Sequence, residues 1–351
     1  AGPAVPAGPA ELMIGCPHRG DPGPAPTMTS DLHQTLMATA AEPPFHEELE
    51  DVWGRPWGAH DEVGRLECVL VRPPGPALEL IAADAWDPAA QALVDPDGGW
   101  YWTRRQPPDT QRAAEQHDGL ITALRADGIE VVRAEPMAAR FPKAMYVRDP
   151  MITVPGGAII TRTAVRMRRG EEADLTRAVA AQGMPILATL TGTATLEGGS
   201  FVKLGEGVAA LGTSIRCNDE GAAQLTEILA RIGWRLIVVP LPGYTIHLDL
   251  HLAMLDRDLA LADPAGLPYT FLTELRSMGI ELVPVDPGEL WGVNLLALGP
   301  RRVLMAQGSP RTAQRLSDAG VEVVTIPYDE LHPNGGGVHC STMELIRRPA
   351  S

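Results

Sequence analysis

The chain has 351 residues, 45% of them hydrophobic, and a formal net charge of −15. This length buries a large core, as one big domain or two ordinary ones. No apolar run is long enough to span a membrane, and the acidity argues against nucleic acid as a partner. The same charge suits a protein that receives cationic small molecules, although solubility alone accounts for it as well.

Residues 1–45 open Ala/Pro/Gly-rich, with neither the basic start nor the apolar stretch of a signal peptide. They are expected to form a flexible tail, with residues 46–351 as one folded domain. The four cysteines, Cys16, Cys68, Cys217 and Cys340, are scattered and form no C-x-x-C pair. A zinc knuckle or disulfide framework is therefore not indicated, and a reducing cytoplasm fits. Further on, Trp100-Tyr101-Trp102 follows Asp97-Gly98-Gly99. This aromatic cluster suits a lid over a pocket or a packing surface in a homodimer; the sequence does not choose.

From residue 124 onward a pattern repeats five times: the end of an apolar-periodic helix, a glycine, then a short apolar strand. The glycines are Gly128, Gly183, Gly233, Gly279 and Gly320. Glycine just past a helix supplies a left-handed cap, and the β-branched run after it reads as a strand. Further strands fall between them at 158–161, 208–211, 259–262 and 302–305. The glycines lie roughly 40–55 residues apart, the range in which internal repeats signal stacked or radial units. Five similar α/β units suggest a closed ring with a site at its centre, although helix–Gly–strand also occurs in ordinary α/β sheets.

Four segments carry chemistry. Asp149 follows the apolar run 144–147, expected to be a strand, and precedes Pro150; an acid there faces a central cavity or merely makes a turn. Glu197, in Thr195-Leu196-Glu197-Gly198-Gly199-Ser200, is a second acid at an expected strand end. In 245–252, strand alternation would place His247, Asp249 and His251 on one face and four aliphatic residues on the other. The His-x-x-x-His spacing resembles a helical metal pair, but it lacks the Glu of His-Glu-x-x-His and lies in a strand-like run. No metal and no cofactor is expected. Finally, Gly335-Gly336-Gly337-Val338-His339-Cys340 puts a thiol after a flexible glycine turn, as a nucleophile or as an inert buried cysteine.

Together these residues give one thiol, one imidazole and three carboxylates from different repeats. A carboxylate-rich pocket attracts a cation, and a thiolate attacks an electrophilic carbon. A planar guanidinium meets both requirements.

The four segments, in this order, resemble the guanidino-group-modifying superfamily: arginine deiminases, dimethylarginine dimethylaminohydrolases and amidinotransferases. The resemblance extends upstream to residues 62–75 and 107–118 and covers about 60–347. It implies a five-bladed pseudo-fivefold α/β propeller (pentein fold) for the catalytic domain. It implies Cys340 as the nucleophile, His247 as the acid and base, and Glu197 as the residue that orients His247. Asp149 and Asp249 would hold the guanidinium nitrogens, and Arg216, with Arg168 or Arg169, the substrate carboxylate. The implied reaction is hydrolysis at the guanidinium carbon of arginine, a modified arginine or another small guanidino compound, with amidino transfer or silent guanidine binding as alternatives. Lys143, where arginine deiminases usually carry asparagine, together with Asn334 and Ser200, departs from the pattern. These departures move the expectation away from free L-arginine.

Overall fold

All five capping glycines adopt left-handed backbone, with φ of +79° at Gly128, +88° at Gly183, +75° at Gly233, +80° at Gly279 and +78° at Gly320. A Cβ added at any of them would meet nothing within 4 Å. Backbone conformation, not crowding, therefore requires glycine there. The computed structural model describes residues 43–95, 100–205 and 207–350. Its compact unit begins at Pro44. Of the expected tail, residues 1–42 lie outside the described residues, and Phe45–Glu47 forms a 3-10 turn.

Each glycine ends the helix of one ββαβ module, just before its last strand. In the second module, strands Met151–Val154 and Gly157–Ile160 pair antiparallel. Helix Glu171–Ala181 then crosses over to Ile186–Thr189, which joins parallel. The third module repeats this with Phe201–Gly205, Val208–Thr213, helix Asp219–Ala230 and Arg235–Pro240. The fourth uses Leu252–Asp256, Leu259–Ala262, helix Tyr269–Ser277 and Glu281–Pro284. The fifth uses Leu296–Gly299, Arg302–Ala306, helix Pro310–Asp318 and Glu322–Ile326. The middle strands are short aliphatic runs because both their faces are covered. Each helix buries a pair four residues apart on one stripe, such as Leu120 and Leu124 or Leu225 and Leu229.

The first module is assembled from both ends of the chain. Leu66–Val71 runs parallel to Glu130–Arg133 across helix Thr110–Ala126, and its antiparallel partner is the last strand, Thr342–Arg347. Five apolar clusters fill the seams, one between each pair of neighbouring modules. Leu304 of the fifth module, for example, packs in the same cluster as Leu120 of the first. Met343 of the first packs with Leu175 of the second. The remaining clusters join second to third, third to fourth and fourth to fifth. The modules thus form a closed ring, as the repeat suggested, in the pentein architecture that the resemblance implied.

Between Leu66–Val71 and its helix the chain inserts a small antiparallel sheet of Trp86–Asp87, Ala92–Asp95 and Trp100–Trp102. Trp102 is fully buried and donates its indole N–H to Gln106 O at 2.9 Å. No helix among the described residues is long and apolar enough to cross a membrane.

Candidate active site

The segments bearing the site residues are turns, not the strands expected from their apolar runs. Residues 141–150 form successive turns, closed by Ala144 N–H to Phe141 O and Tyr146 N–H to Lys143 O at 3.2 and 2.9 Å. Residues 245–247 are irregular, Leu248–Leu250 is a 3-10 turn, and the strand begins only at Leu252. A 3-10 turn advances three residues per revolution and does not alternate. Leu248 therefore enters the core, His247 and Asp249 approach each other, and His251 turns away to pair with Asp263 at 2.9 Å. Glu197 caps the 3-10 turn Gly198–Ser200, ahead of the strand at Phe201.

This correction exposes a rule. Asp149, Glu197, Asp249, Asn294 and Cys340 each lie two to four residues before the first strand of one module. The ring brings five equivalent loops to one end of its axis. Asn294, which the sequence reading missed, completes the set. Aligning the repeats on their strand starts, rather than on their glycines, would have found it.

On one side stands His247. Its Nε2 is 2.8 Å from Glu197 Oε2, and its Nδ1 lies 3.7 Å from Asp149 Oδ1 and 4.0 Å from Asp249 Oδ1. Burial opposes a charge on the ring, but Asp149, Glu197 and Asp249 outweigh it and raise the imidazolium to about 9. For Glu197 burial acts upward, yet the bond to His247 and the nearby Arg168 and Arg216 draw its carboxyl down to about 2. Glu197 Oε1 also accepts the Ala164 N–H at 3.0 Å, so the acid is fixed from both sides. Gly199 keeps this face open: a Cβ there would sit 2.7 Å from His247 Nδ1.

The same cavity is lined by Cys340, a free, buried thiol. Asn294 Nδ2 donates to its sulfur at 3.2 Å, and Asn294 Oδ1 accepts the Cys340 N–H at 3.2 Å. Asp249 Oδ2 lies 3.8 Å from the sulfur and is held by His339 Nδ1 at 2.8 Å. Asp249 Oδ1 is buried without a partner, an acceptor left for a ligand. Burial, then Asp249 and Asp149, push the thiol well above its usual range. A cation placed between these carboxylates reverses the second effect and favours the thiolate.

The predicted arginines separate. Arg168 lies in the cavity wall, where it pairs with Asp149 Oδ2 and with Glu171 at 2.7 Å. It therefore orients Asp149 and leaves Oδ1 facing His247. Arg216 also lines the cavity, and among the described residues its side chain has one ion pair, a long 3.4 Å contact with Glu197. Arg169 is not part of the lining, and its Nε donates to Thr163 O at 3.0 Å. Lys143 and Tyr101 complete the far wall. Tyr101 brings the aromatic segment to the pocket itself.

Asp149, Glu197 and His247 offer ligand atoms within 4.8 Å of one another. A divalent ion there would compete with the proton on His247 and with the Arg168 guanidinium on Asp149. Those two cations already satisfy the set, which therefore suits proton transfer better than metal binding.

The family model for arginine deiminase matches residues 135–275 and 286–347, more than half of the chain. The N(G),N(G)-dimethylarginine dimethylaminohydrolase of Pseudomonas aeruginosa is 30% identical over 73% of this chain and 96% of its own. A solved structure of the P. aeruginosa enzyme, a Cys-to-Ser variant complexed with citrulline, superposes with a TM-score of 0.65 at 25% identity. That match covers 80% of this chain and all of that one. An amidinotransferase from Microseira wollei gives 0.67 at 19% identity, over 84% and 98% of the two chains, a likeness of fold. With its five modules and this breadth of match, the chain belongs to the guanidino-group-modifying (pentein) superfamily.

Proposed function

We propose that the protein is a thiol-dependent hydrolase of a small guanidino compound. The observation that carries this reading is one cavity lined by Cys340, His247, Asp149 and Glu197, with Asp249 4.0 Å from His247 Nδ1 and 3.8 Å from the sulfur. A guanidinium bound to the two aspartates presents its central carbon to the sulfur and one nitrogen to His247. As the cation binds, the Cys340 thiol loses its proton to solvent; the thiolate adds to the carbon, and His247 gives its proton to the departing amine, leaving an S-linked thiouronium. His247, now neutral, takes a proton from water. The resulting hydroxide attacks the same carbon, the thiolate leaves, and a urea-type product remains. Glu197 fixes the ring for both transfers, and Asn294 donates to the sulfur while it bears charge. The citrulline in the P. aeruginosa structure is such a urea-type compound. A reducing cytoplasm suits a catalytic thiol that must stay free.

The test is mass spectrometry of products from a guanidine panel, using wild type and Cys340→Ala, with and without amine acceptors. Turnover by wild type without acceptor, and a loss of ~10³-fold or more in Cys340→Ala, is expected for an essential nucleophile. Turnover only with an acceptor would make the protein an amidinotransferase. Turnover surviving in Cys340→Ala would overturn the thiol mechanism.

A further inference from the structure

The mouth of the cavity narrows the substrate class, an inference that rests on the guanidine reading above. The lining divides by depth. Asp149, Glu197, His247 and Cys340, which form the reacting end, are at most 4% exposed. The half-buried part of the lining includes Val165, Met167, Ile246 and Leu250, four apolar side chains from the two segments that also carry Arg168 and His247. The apolar surface continues outward. Ser214 Oγ donates to Ile246 O at 2.7 Å and so ties two loops together beside the cavity. On those loops Ile215 is 55% exposed and Tyr244 is 90% exposed. Apolar side chains left facing solvent at the rim of a pocket mark a surface that a ligand covers.

The charged head of an amino acid has no dedicated receptor at this mouth. Among the described residues, the carboxylates of the lining are Asp149 and Glu197, both at the reacting end, so an α-ammonium meets no carboxylate outside it. Arg168 is committed to Asp149 and Glu171, and Arg216 leans on Glu197. A substrate carboxylate would compete with the very acids that orient the chemistry. Burial, then Arg168 and Arg216, hold Lys143 well below the usual ammonium range. A neutral amine has two N–H donors, and the carbonyls of Tyr101 and Asn334 take both. We infer that the substrate is a guanidine with one apolar alkyl or aralkyl substituent, free of ammonium and carboxylate, whose tail lies on Val165, Met167, Ile246 and Leu250. Its one charge is the guanidinium itself.

The probes share one guanidinobutyl skeleton: n-butylguanidine, agmatine with a terminal ammonium, 5-guanidinopentanoate with a terminal carboxylate, and L-arginine and its N-methyl forms with both. Wild type is expected to prefer n-butylguanidine over each of the others by ~10-fold or more in kcat/KM, the effect of a charge desolvated without a partner. Across ethyl-, butyl- and hexylguanidine kcat/KM should rise by ~2–4-fold per methylene, as each CH2 leaves water for the apolar mouth. Ile246→Asp puts a carboxylate at the mouth and should move the agmatine-to-butylguanidine ratio toward agmatine by ~10-fold. A ratio taken within one variant does not depend on how much of it folds. Ile246→Val should keep the wild-type order. Wild-type turnover of any charged-tail compound equal to or above that of n-butylguanidine would overturn the inference. So would rates independent of chain length, or an unmoved ratio in Ile246→Asp. Calorimetric binding of the same compounds to Cys340→Ala separates this inference from the hydrolase reading. Alkylguanidines bound ahead of the charged-tail compounds, without wild-type turnover, would sink the hydrolase and leave the ligand class standing. Equal binding of all, or of none, would sink the ligand class.

Discussion

His247 is doubly protonated at neutral pH because three carboxylates surround it, although burial alone would keep it neutral. As an acid it works only while protonated, so kcat should fall as pH rises through about 9. Removing the Glu197 charge while keeping its shape should lower the imidazolium pKa. In Glu197→Gln the alkaline limb of kcat against pH is expected to move down by about one unit or more, one unit being ~1.4 kcal/mol of lost charge interaction. An unmoved limb would show that His247 does not carry the acidic role. The stability linkage has the same sign. A raised histidine pKa stabilises the fold fully below its unfolded value of 6.5 and is lost as pH rises through about 9. Cys340 titrates against the same carboxylates in the opposite sense, so the empty pocket holds a protonated thiol beside an imidazolium. On the proposed mechanism, a guanidinium between the aspartates would make the thiolate favourable.

At the scale of the element, the loops before the strands were the least legible part of the sequence. Residues 144–147 and 246–252 are as apolar as any strand, and alternation in the second run placed His251 beside His247 and Asp249. Only hydrogen bonding to the third residue back, as from His251 N–H to Leu248 O at 2.9 Å, separates turn from strand there. Composition does not report that difference. The five helix caps were legible because left-handed backbone leaves a mark, a glycine, at each position. Gly198 marks something else: a Cβ there would overlap the carbonyl oxygen of Arg148 and come to 2.5 Å from that of Met151. Neither oxygen is at the end of a flexible side chain. Gly198→Ala is therefore expected to lower stability by about 1–3 kcal/mol, as overpacking in a rigid site does. Urea unfolding would read this loss. Gly128→Ala meets no such obstacle, and its cost should be limited to the left-handed backbone. Equal stability of wild type and Gly198→Ala would mean that the Glu197 loop is not pinned against the turn bearing Asp149.

For the whole molecule, the ring was foreseeable from five evenly spaced units, and the clustering of Asp149, Glu197, His247, Asp249 and Cys340 from the resemblance. Asn294 was legible only from the strand starts, which the sequence does not mark as it marks the helix caps, and Glu344 was not, because a single Glu in an apolar run carries no signal of what the closed ring will place beside it. Glu344, on the last strand, pairs with Arg148 of the second module at 2.6 Å and with Lys203 of the third at 2.7 Å. All three side chains are buried. These pairs bind the closing strand to two other modules beneath the site. Glu344→Gln would leave the buried Arg148 without its carboxylate, while Lys203 keeps Glu62 at 2.8 Å, and a loss of roughly 3–5 kcal/mol is expected. Chemical denaturation at neutral pH measures it, and a loss below half of that range would mean that water compensates Arg148. Arg148 and Lys203 hold the Glu344 carboxyl well below its usual range, against burial. Its contribution is therefore present above about pH 4.5 and disappears as pH falls through the depressed folded value.

The closing strand also sets the order in which the chemistry can come into being. Translation delivers Asp149 first and Cys340 almost two hundred residues later. On the ribosome the aspartates, His247 and Glu197 can emerge and settle, yet the sulfur reaches them only when Thr342–Arg347 has zipped onto Leu66–Val71. With Cys340 as the proposed nucleophile, a nascent or prematurely terminated chain is therefore expected to be chemically silent. On the proposed mechanism reactivity would require this closure of the ring, so acquisition of activity would report the pairing of the first module's two ends.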